Sequence, residues 1–262
     1  MQFALVNDDR CPPTPKLTGR CVGCGQEMIA KCGAIKIWHW AHKGVRVCDP
    51  WWEQETAWHR EWKELFPAHW REVIQWSASG EKHIADVRNE AGLVIEFQRS
   101  AISREERMAR EAFYPNMIWV VDGTRLKNDI PRFMRGTSDL RGAVRPGYFM
   151  TRWPNECFPK PWIGSSKPVF FDFGGHDEDP QTTMAARGSL WCLLPGRVGY
   201  DAVVARVSKT QFIDVAGRLA HAFPPHEILL EIAAHIEAQR RAEIQRWRRP
   251  AYYSRRRNSP RF

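Results

Sequence analysis

Residues 82–103, KHIADVRNEAGLVIEFQRSAIS, constrain this chain more than any other stretch, because they encode a β-hairpin with two acids inside it. Leu93, Ile95 and Phe97 fall on one face of the second strand, and Val94, Glu96 and Gln98 on the other. Residues 84–88 alternate in the same way, and Asn89-Glu90-Ala91-Gly92 separates the two runs. A three-residue hairpin loop closes most cheaply on a residue of positive φ, and glycine adopts that conformation without strain. Taking Glu90-Ala91-Gly92 as the loop pairs Asn89 with Leu93, and hence Asp86 with Glu96. Side chains opposed in this way have Cβ atoms about 5 Å apart. Two like charges so placed repel, and a divalent cation held by clustered carboxylate oxygens removes the objection. The pair is therefore read as a metal site.

The flanking segments supply a scaffold for it. Residues 53–65, EQETAWHREWKEL, contain no Pro or Gly and are expected to be helical up to Pro67. Glu55, His59 and Lys63 then form one stripe, and Trp58, Trp62 and Leu65 an apolar one beside it. A helix packed beside the hairpin would aim the polar stripe at the carboxylates; a solvated Glu–Lys ladder is the plainer alternative. Residues 71–76 read as a strand leading into the hairpin. Ser103 followed by Glu106 is a capping box opening a helix to about Phe113, and residues 117–121, MIWVV, read as a buried strand. Helix, strand, hairpin, helix, strand is the order of an α/β core with a crossover back into the sheet.

Cys21-Val22-Gly23-Cys24-Gly25 is a metal-binding knuckle, two thiolates spaced for one ion with glycines that let the backbone turn. Cys32, His39, His42 and Cys48 follow as further ligands. His39 and His42 lie three apart, so in an extended segment they face opposite ways and only one is expected to bind. The preferred set is Cys21, Cys24, His42 and Cys48 around a structural Zn²⁺, with Cys32 or His39 as replacements. Four ligands leave no open position for catalysis. A segment this short buries little core, a shortage that a metal relieves.

The chain carries a formal net charge of +9, which favours an anionic partner, nucleic acid first. Arginines concentrated near the C-terminus account for part of the excess. No apolar run approaches the length needed to span a bilayer, and MQFALVNDDR is no secretory signal. Seven unevenly spaced cysteines suit a reduced compartment, so a cytoplasmic protein without membrane contact is expected. Residues 124–147 read as a linker with a short helix at its start. Residues 167–174, 190–194 and 201–207 read as strands of a small β-rich unit, and residues 228–244 as a long helix amphipathic through Leu229, Ile232, Ala233, Ile236 and Ile244. The acidic run Asp172, His176, Asp177, Asp179 is read as an ordinary loop rather than a metal site.

Together these pieces resemble a known family. The knuckle, HWAH and Cys48, then Glu55-Thr56-Ala57-Trp58-His59 with Lys63, Ala85-Asp86-Val87, Ile95-Glu96-Phe97-Gln98-Arg99-Ser100, Ile102-Ser103, Arg110, Tyr114 and Ile118-Trp119-Val120 look like the competence protein CoiA-like family, a branch of the PD-(D/E)XK nucleases. The resemblance covers roughly residues 18–125. It implies a restriction-endonuclease-like core; with the N-terminal zinc-binding module and the β-rich, helical C-terminal domain read from the residues above, a mixed α/β fold is expected. The expected division is a zinc-ribbon-like module at 1–50, the nuclease-like core at 51–135, a linker at 136–152, an accessory α+β domain at 153–245 and a basic tail at 246–262. Asp86 and Glu96 would hold Mg²⁺ or Mn²⁺, with Glu55 in support and Gln98 where most such nucleases carry lysine. Glutamine cannot act as a base; it can orient water or ligate through its carbonyl. His59 and Lys63 would place positive charge near the scissile phosphate. The implied activity is metal-dependent cleavage of DNA, and the alternative is a degenerate nuclease that binds DNA as an accessory protein in uptake, recombination or defence. A protein partner for the C-terminal domain, DNA versus RNA and the oligomeric state are left open.

Overall fold

The computed structural model describes residues 1–44, 48–174, 188–220 and 223–248, a mixed α/β arrangement with two sheets. The first sheet is antiparallel and five-stranded: β1 (Ala4–Val6), β2 (Asp9–Cys11), β3 (Thr18–Arg20), β4 (Glu27–Lys31) and β5 (His39–His42), in the order β2-β1-β3-β4-β5. Its buried cluster is small, Met1, Ala4, Met28 and Trp40 with Cys21 and Cys48, as expected of so short a segment.

The rest of the described residues build one nine-stranded sheet. In chain order its elements are α1 (Ala57–Glu64), β6 (Arg71–Trp76), β7 (Lys82–Arg88), β8 (Val94–Gln98), α2 (Arg104–Phe113), β9 (Met117–Asp122), α3 (Asp129–Gly136), β10 (Arg141–Gly142), β11 (Tyr148–Thr151), α4 (Pro154–Cys157), β12 (Val169–Asp172), β13 (Ser189–Leu193), β14 (Ala202–Ser208), α5 (Lys209–Arg218) and α6 (Pro225–Arg248). The strand order is β10-β11-β14-β13-β12-β9-β8-β7-β6. The central strands β8, β9 and β12 are parallel and the flanking ones antiparallel. One face packs against α1, α5 and α6 through Trp62, Phe97, Phe170, Phe212 and Ile232. The other face carries α2, α3 and α4 through Trp119, Phe133, Phe158 and Phe171. Burying each of these large side chains contributes roughly 1.5–3 kcal/mol.

This topology corrects the expected domain organisation. Residues 136–152 are not a linker, since β10 and β11 are strands at the far edge of the sheet. Residues 153–245 are not a separate domain either, because β12 pairs in parallel with β9 from Val169 opposite Trp119 to Asp172 opposite Asp122. Every residue of β9 is buried, and a strand of that kind needs neighbours on both edges and cover on both faces. The core ending at 135 would have left β9 as an exposed apolar edge. The expected strands themselves are present. The α6 stripe is used only near its start: Ile228 and Ile232 are buried, whereas Ile236 and Ile244 are exposed. His176, Asp177 and Asp179, and residues 249–262 of the basic tail, lie outside the described residues.

The two sheets are joined by buried polar contacts. Glu72 on β6 accepts hydrogen bonds from the backbone N–H groups of Gln2 at 2.7 Å and Phe3 at 3.2 Å. Lys82 Nζ donates to the carbonyl of Gly23 at 2.6 Å. Asp49, next to Cys48, accepts from the Ile84 backbone and contacts His83 Nδ1, each at 2.9 Å. The connection between sheets is therefore pinned to β7.

Candidate functional site: a carboxylate cleft and a Cys–His centre

The hairpin forms in the expected register. Val87 opposes Ile95 and Arg88 opposes Val94, the Asn89 backbone donates to Leu93, and Gly92 closes the loop at φ +87°. One step further the backbone ladder gives way to side chains. The Asp86 N–H donates to Glu96 Oε1 at 3.2 Å, and the Phe97 N–H donates to Asp86 Oδ2 at 3.0 Å. Each carboxylate thus satisfies a backbone donor that the splayed strands would otherwise leave unpaired. Asp86 and Glu96 meet in a cleft whose lining also includes Glu53, Glu55, His59, Lys63, Glu72 and Arg110. Burial, reinforced by the charge of Asp86, pushes the Glu96 carboxyl up to about 8 against the opposing pull of Arg110. Arg110 reaches Glu96 Oε2 at 3.2 Å and is itself held by Glu106 and the Trp51 carbonyl.

The expected polar stripe is brought to this cleft with two changes. The helix begins at Ala57 with Thr56 as its cap, so Glu55 lies just before α1 rather than on it. Leu65 is exposed, and Phe66 takes its place in the core. A threonine side chain satisfies free N–H groups of a first turn, and here it stops the helix from extending back through Glu55. Lys63 is buried, with Nζ 2.8 Å from Glu55, 3.3 Å from Glu72 and 3.9 Å from Asp86. Its charge is therefore matched by carboxylates and is not free for a phosphate. His59 is buried between the Thr56 hydroxyl at 2.9 Å and the Phe97 carbonyl at 3.2 Å. Burial opposes ionisation of Glu55, yet Lys63 and Arg60 hold its carboxyl at about 2.

Several residues of the cleft were not legible as such. Glu53 accepts from Gln98 Nε2 at 2.8 Å and from the Ser100 backbone at 2.6 Å. The Gln98 amide is thereby oriented, and its Oε1 is buried without a hydrogen-bond partner. Glu72, expected only as the start of a strand, sits at the level of Asp86 with φ +50°, a left-handed conformation uncommon for a side-chain-bearing residue. The sequence signals available for both were acidic residues near hydrophobic neighbours, which many surfaces share.

The second centre assembles in the first sheet. The knuckle lies in the turn between β3 and β4, His42 ends β5, and Cys48 follows. The ligand atoms of Cys21, Cys24, His42 and Cys48 all lie within 4.8 Å of one another. Among the described residues this is the one such group of three or more, and it is compatible with structural zinc. Cys21 Sγ is 3.4 Å from Cys48 Sγ, and Cys24 Sγ is 3.4 Å from His42 Nε2. The contact with Cys48 draws the Cys21 thiol down to about 4, and Cys48 moves up. His39 instead contacts the Ile37 carbonyl at 2.9 Å and, with Cys32, stays outside the group.

A cysteine–histidine module fused to an α/β sheet with a carboxylate cleft is the class these features define. Residues 18–50 match the model of the competence protein CoiA N-terminal domain. That segment contains all four residues of the Cys–His group, and the similarity to the CoiA N-terminal domain is shown for that segment. Comparisons with curated proteins and with solved structures found no significant match. No helix among the described residues is long and apolar enough to cross a membrane.

Proposed function

We propose that the chain is a Mg²⁺- or Mn²⁺-dependent nuclease with a restriction-endonuclease-like core, cleaving phosphodiester bonds of DNA with water as nucleophile, in a competence-related role suggested by the CoiA match. The observation that carries the proposal is the opposed Asp86–Glu96 pair at the point where β7 and β8 splay. The donor set suits a hard cation: two carboxylates and the buried, unpartnered carbonyl oxygen of Gln98. Asp86, Glu96 and Gln98 would hold the ion. When bound, the ion supplies a lowered water pKa and neutralises charge building on the phosphate. Arg110 fixes the Glu96 carboxylate, Lys63 keeps Glu55 and Glu72 ionised and in place, and His59 ties α1 to β8. Zn²⁺ at the Cys–His group would hold the first sheet in shape.

The test is incubation of purified protein with single- and double-stranded DNA and Mg²⁺, beside Asp86→Ala and Glu96→Ala. Loss of cleavage in both variants is expected; cleavage surviving in both refutes the assignment. A second reading, a DNA-binding accessory protein without cleavage, is favoured by the absence, among the described residues, of an unmatched lysine in the cleft: the Gln98 amide nitrogen is committed to Glu53 and Lys63 to carboxylates. It requires salt-sensitive DNA binding that needs no divalent metal, together with no cleavage.

A further inference from the structure

We propose that residues 49–51 are a strap, anchored at the Cys–His group, that sets the spacing of Asp86 and Glu96, with Asp49 as its positioning residue. The grip of the carboxylate cleft on a divalent cation then depends on the Cys–His group. That the cleft takes a cation rests on the nuclease reading; the strap itself does not. It starts directly after Cys48, the last residue of the Cys–His group, and both Asp49 and Trp51 line the cleft. At one end Asp49 divides its carboxylate: Oδ2 accepts the Ile84 N–H and Oδ1 meets His83 Nδ1, each at 2.9 Å. Backbone pairing of β7 with β8 ends at Val87 opposite Ile95, and two N–H groups of β7 before it go to side chains, Asp86 to Glu96 and Ile84 to Asp49. At the other end the Trp51 carbonyl accepts from Arg110 Nη2 at 2.7 Å, and Arg110 Nη1 holds Glu96 Oε2 at 3.2 Å. One acid is thus reached through Ile84 and the other through Arg110, from the same three residues.

The strap is held stiffly. The Trp51 ring stacks on His83 and meets Phe113 edge-on, which closes the strap against both β7 and α2. The knuckle presses on the same part of β7. Lys82 Nζ donates to the Gly23 carbonyl, and a Cβ at Gly23 would lie 3.0 Å from Cys48 Sγ and 3.2 Å from Ile84 Cδ1. The knuckle therefore packs between Cys48 and β7 with no room for a side chain. An ion on the four ligands would fix Cys48 against the knuckle, and with it the start of the strap. Without Asp49 the Ile84 N–H loses its acceptor, a loss that favours movement of β7 over an unpaired donor. Groups that orient the ligands of a metal tune its affinity by about 10–100-fold. A first sheet that served stability alone would leave cation affinity in the cleft unmoved.

The test uses full-length protein with Mn²⁺ as the probe, binding in the cleft being the part lost in Asp86→Ala. Asp49→Ala, at the zinc content and circular dichroism of the parent, should weaken that binding about 10–100-fold. Site-resolved hydrogen exchange at the Ile84 amide should speed up at least about tenfold in the same variant, while the buried Val120 of β9 keeps its protection. Asp49→Asn, whose carboxamide oxygen still accepts from Ile84, should retain most of both. Asp49→Leu, similar in shape and without an acceptor, replaces Asp49→Ala should that variant not fold. Cys48→Ser, which loses zinc, should weaken Mn²⁺ binding to a similar degree, and Cys48→Ser with Asp49→Ala no further. Full additivity of those two substitutions, or unchanged Ile84 exchange without the Asp49 carboxylate, overturns the proposal. Mn²⁺ binding that depends on Asp86 and Glu96 but not on Asp49 leaves the nuclease reading standing and removes the strap. Faster Ile84 exchange on loss of Asp49 or of zinc, in a parent that binds no Mn²⁺ through Asp86, keeps the strap as a brace of β7 and fails the nuclease reading.

Discussion

Lys63→Met is the sharpest probe of the cleft, because it removes one buried charge on which three carboxylates converge. At an effective permittivity of about 20, unit charges at the observed 2.8, 3.3 and 3.9 Å attract by about 6, 5 and 4 kcal/mol. Most of that sum is offset by the several kcal/mol needed to take each ion out of water. Removal of the ammonium, however, leaves Glu55 and Glu72 buried in the folded protein. Glu55 keeps Arg60 at 2.9 Å, and Glu72 keeps the Gln2 and Phe3 N–H groups, so neither becomes wholly unpartnered. The expected loss therefore lies at the lower end for a broken buried pair, about 3 kcal/mol. For a domain of this size, that corresponds to a fall in Tm of roughly 6–12 °C. Thermal and urea unfolding followed by circular dichroism read it directly. Adding Glu72→Gln to Lys63→Met removes one stranded charge and should recover more than about 1 kcal/mol, a coupling that non-additivity reports. Stability within about 1 kcal/mol of the parent, or strict additivity in the double variant, would refute the ion cluster.

The Cys–His group predicts bound zinc in the purified protein, lost in Cys48→Ser; a strong chelator should unfold the first sheet, so a metal-free protein with native circular dichroism and protease resistance would contradict the structural role. Glu96 predicts a pH dependence. Its folded carboxyl, at about 8, binds a proton more tightly than the ordinary 4.5, so without divalent metal its contribution is fully present below pH 4.5 and lost as pH rises through about 8. Glu96→Gln should accordingly match the parent in acid and exceed it at pH 8 by a few kcal/mol, on the order of 3, with added Mg²⁺ narrowing the gap by stabilising the parent. A parent curve parallel to that of the variant from pH 4 to 9 would show that the carboxyl is not perturbed.

Much of the site was legible because it is local. Hairpin register depends on the loop residue and on side-chain alternation, and Gly92 with the 93–98 pattern places Asp86 opposite Glu96 without any distant contact. The knuckle and the capped start of α2 at Ser103 are local in the same sense. Glu53 and Glu72 were not legible, since their roles depend on Gln98, Lys63 and the Gln2 backbone, which are remote in sequence. The single sheet was missed for a related reason: composition shifts near residue 150, but strand pairing follows unmet backbone and apolar edges rather than composition. The buried run 117–122 already demanded a neighbour that the proposed core did not provide.

The sequence by itself determined most of the elements between α1 and β9, the hairpin that faces two acids toward each other, and the spacing of the cysteines and histidine, because turn geometry and side-chain period act over a few residues. Only the tertiary structure decided that Lys63 is neutralised, that Glu53 orients Gln98, and that β12 extends the sheet beyond β9. Those outcomes depend on which polar groups lose water together, and burial is a property of the assembled layers rather than of any one segment.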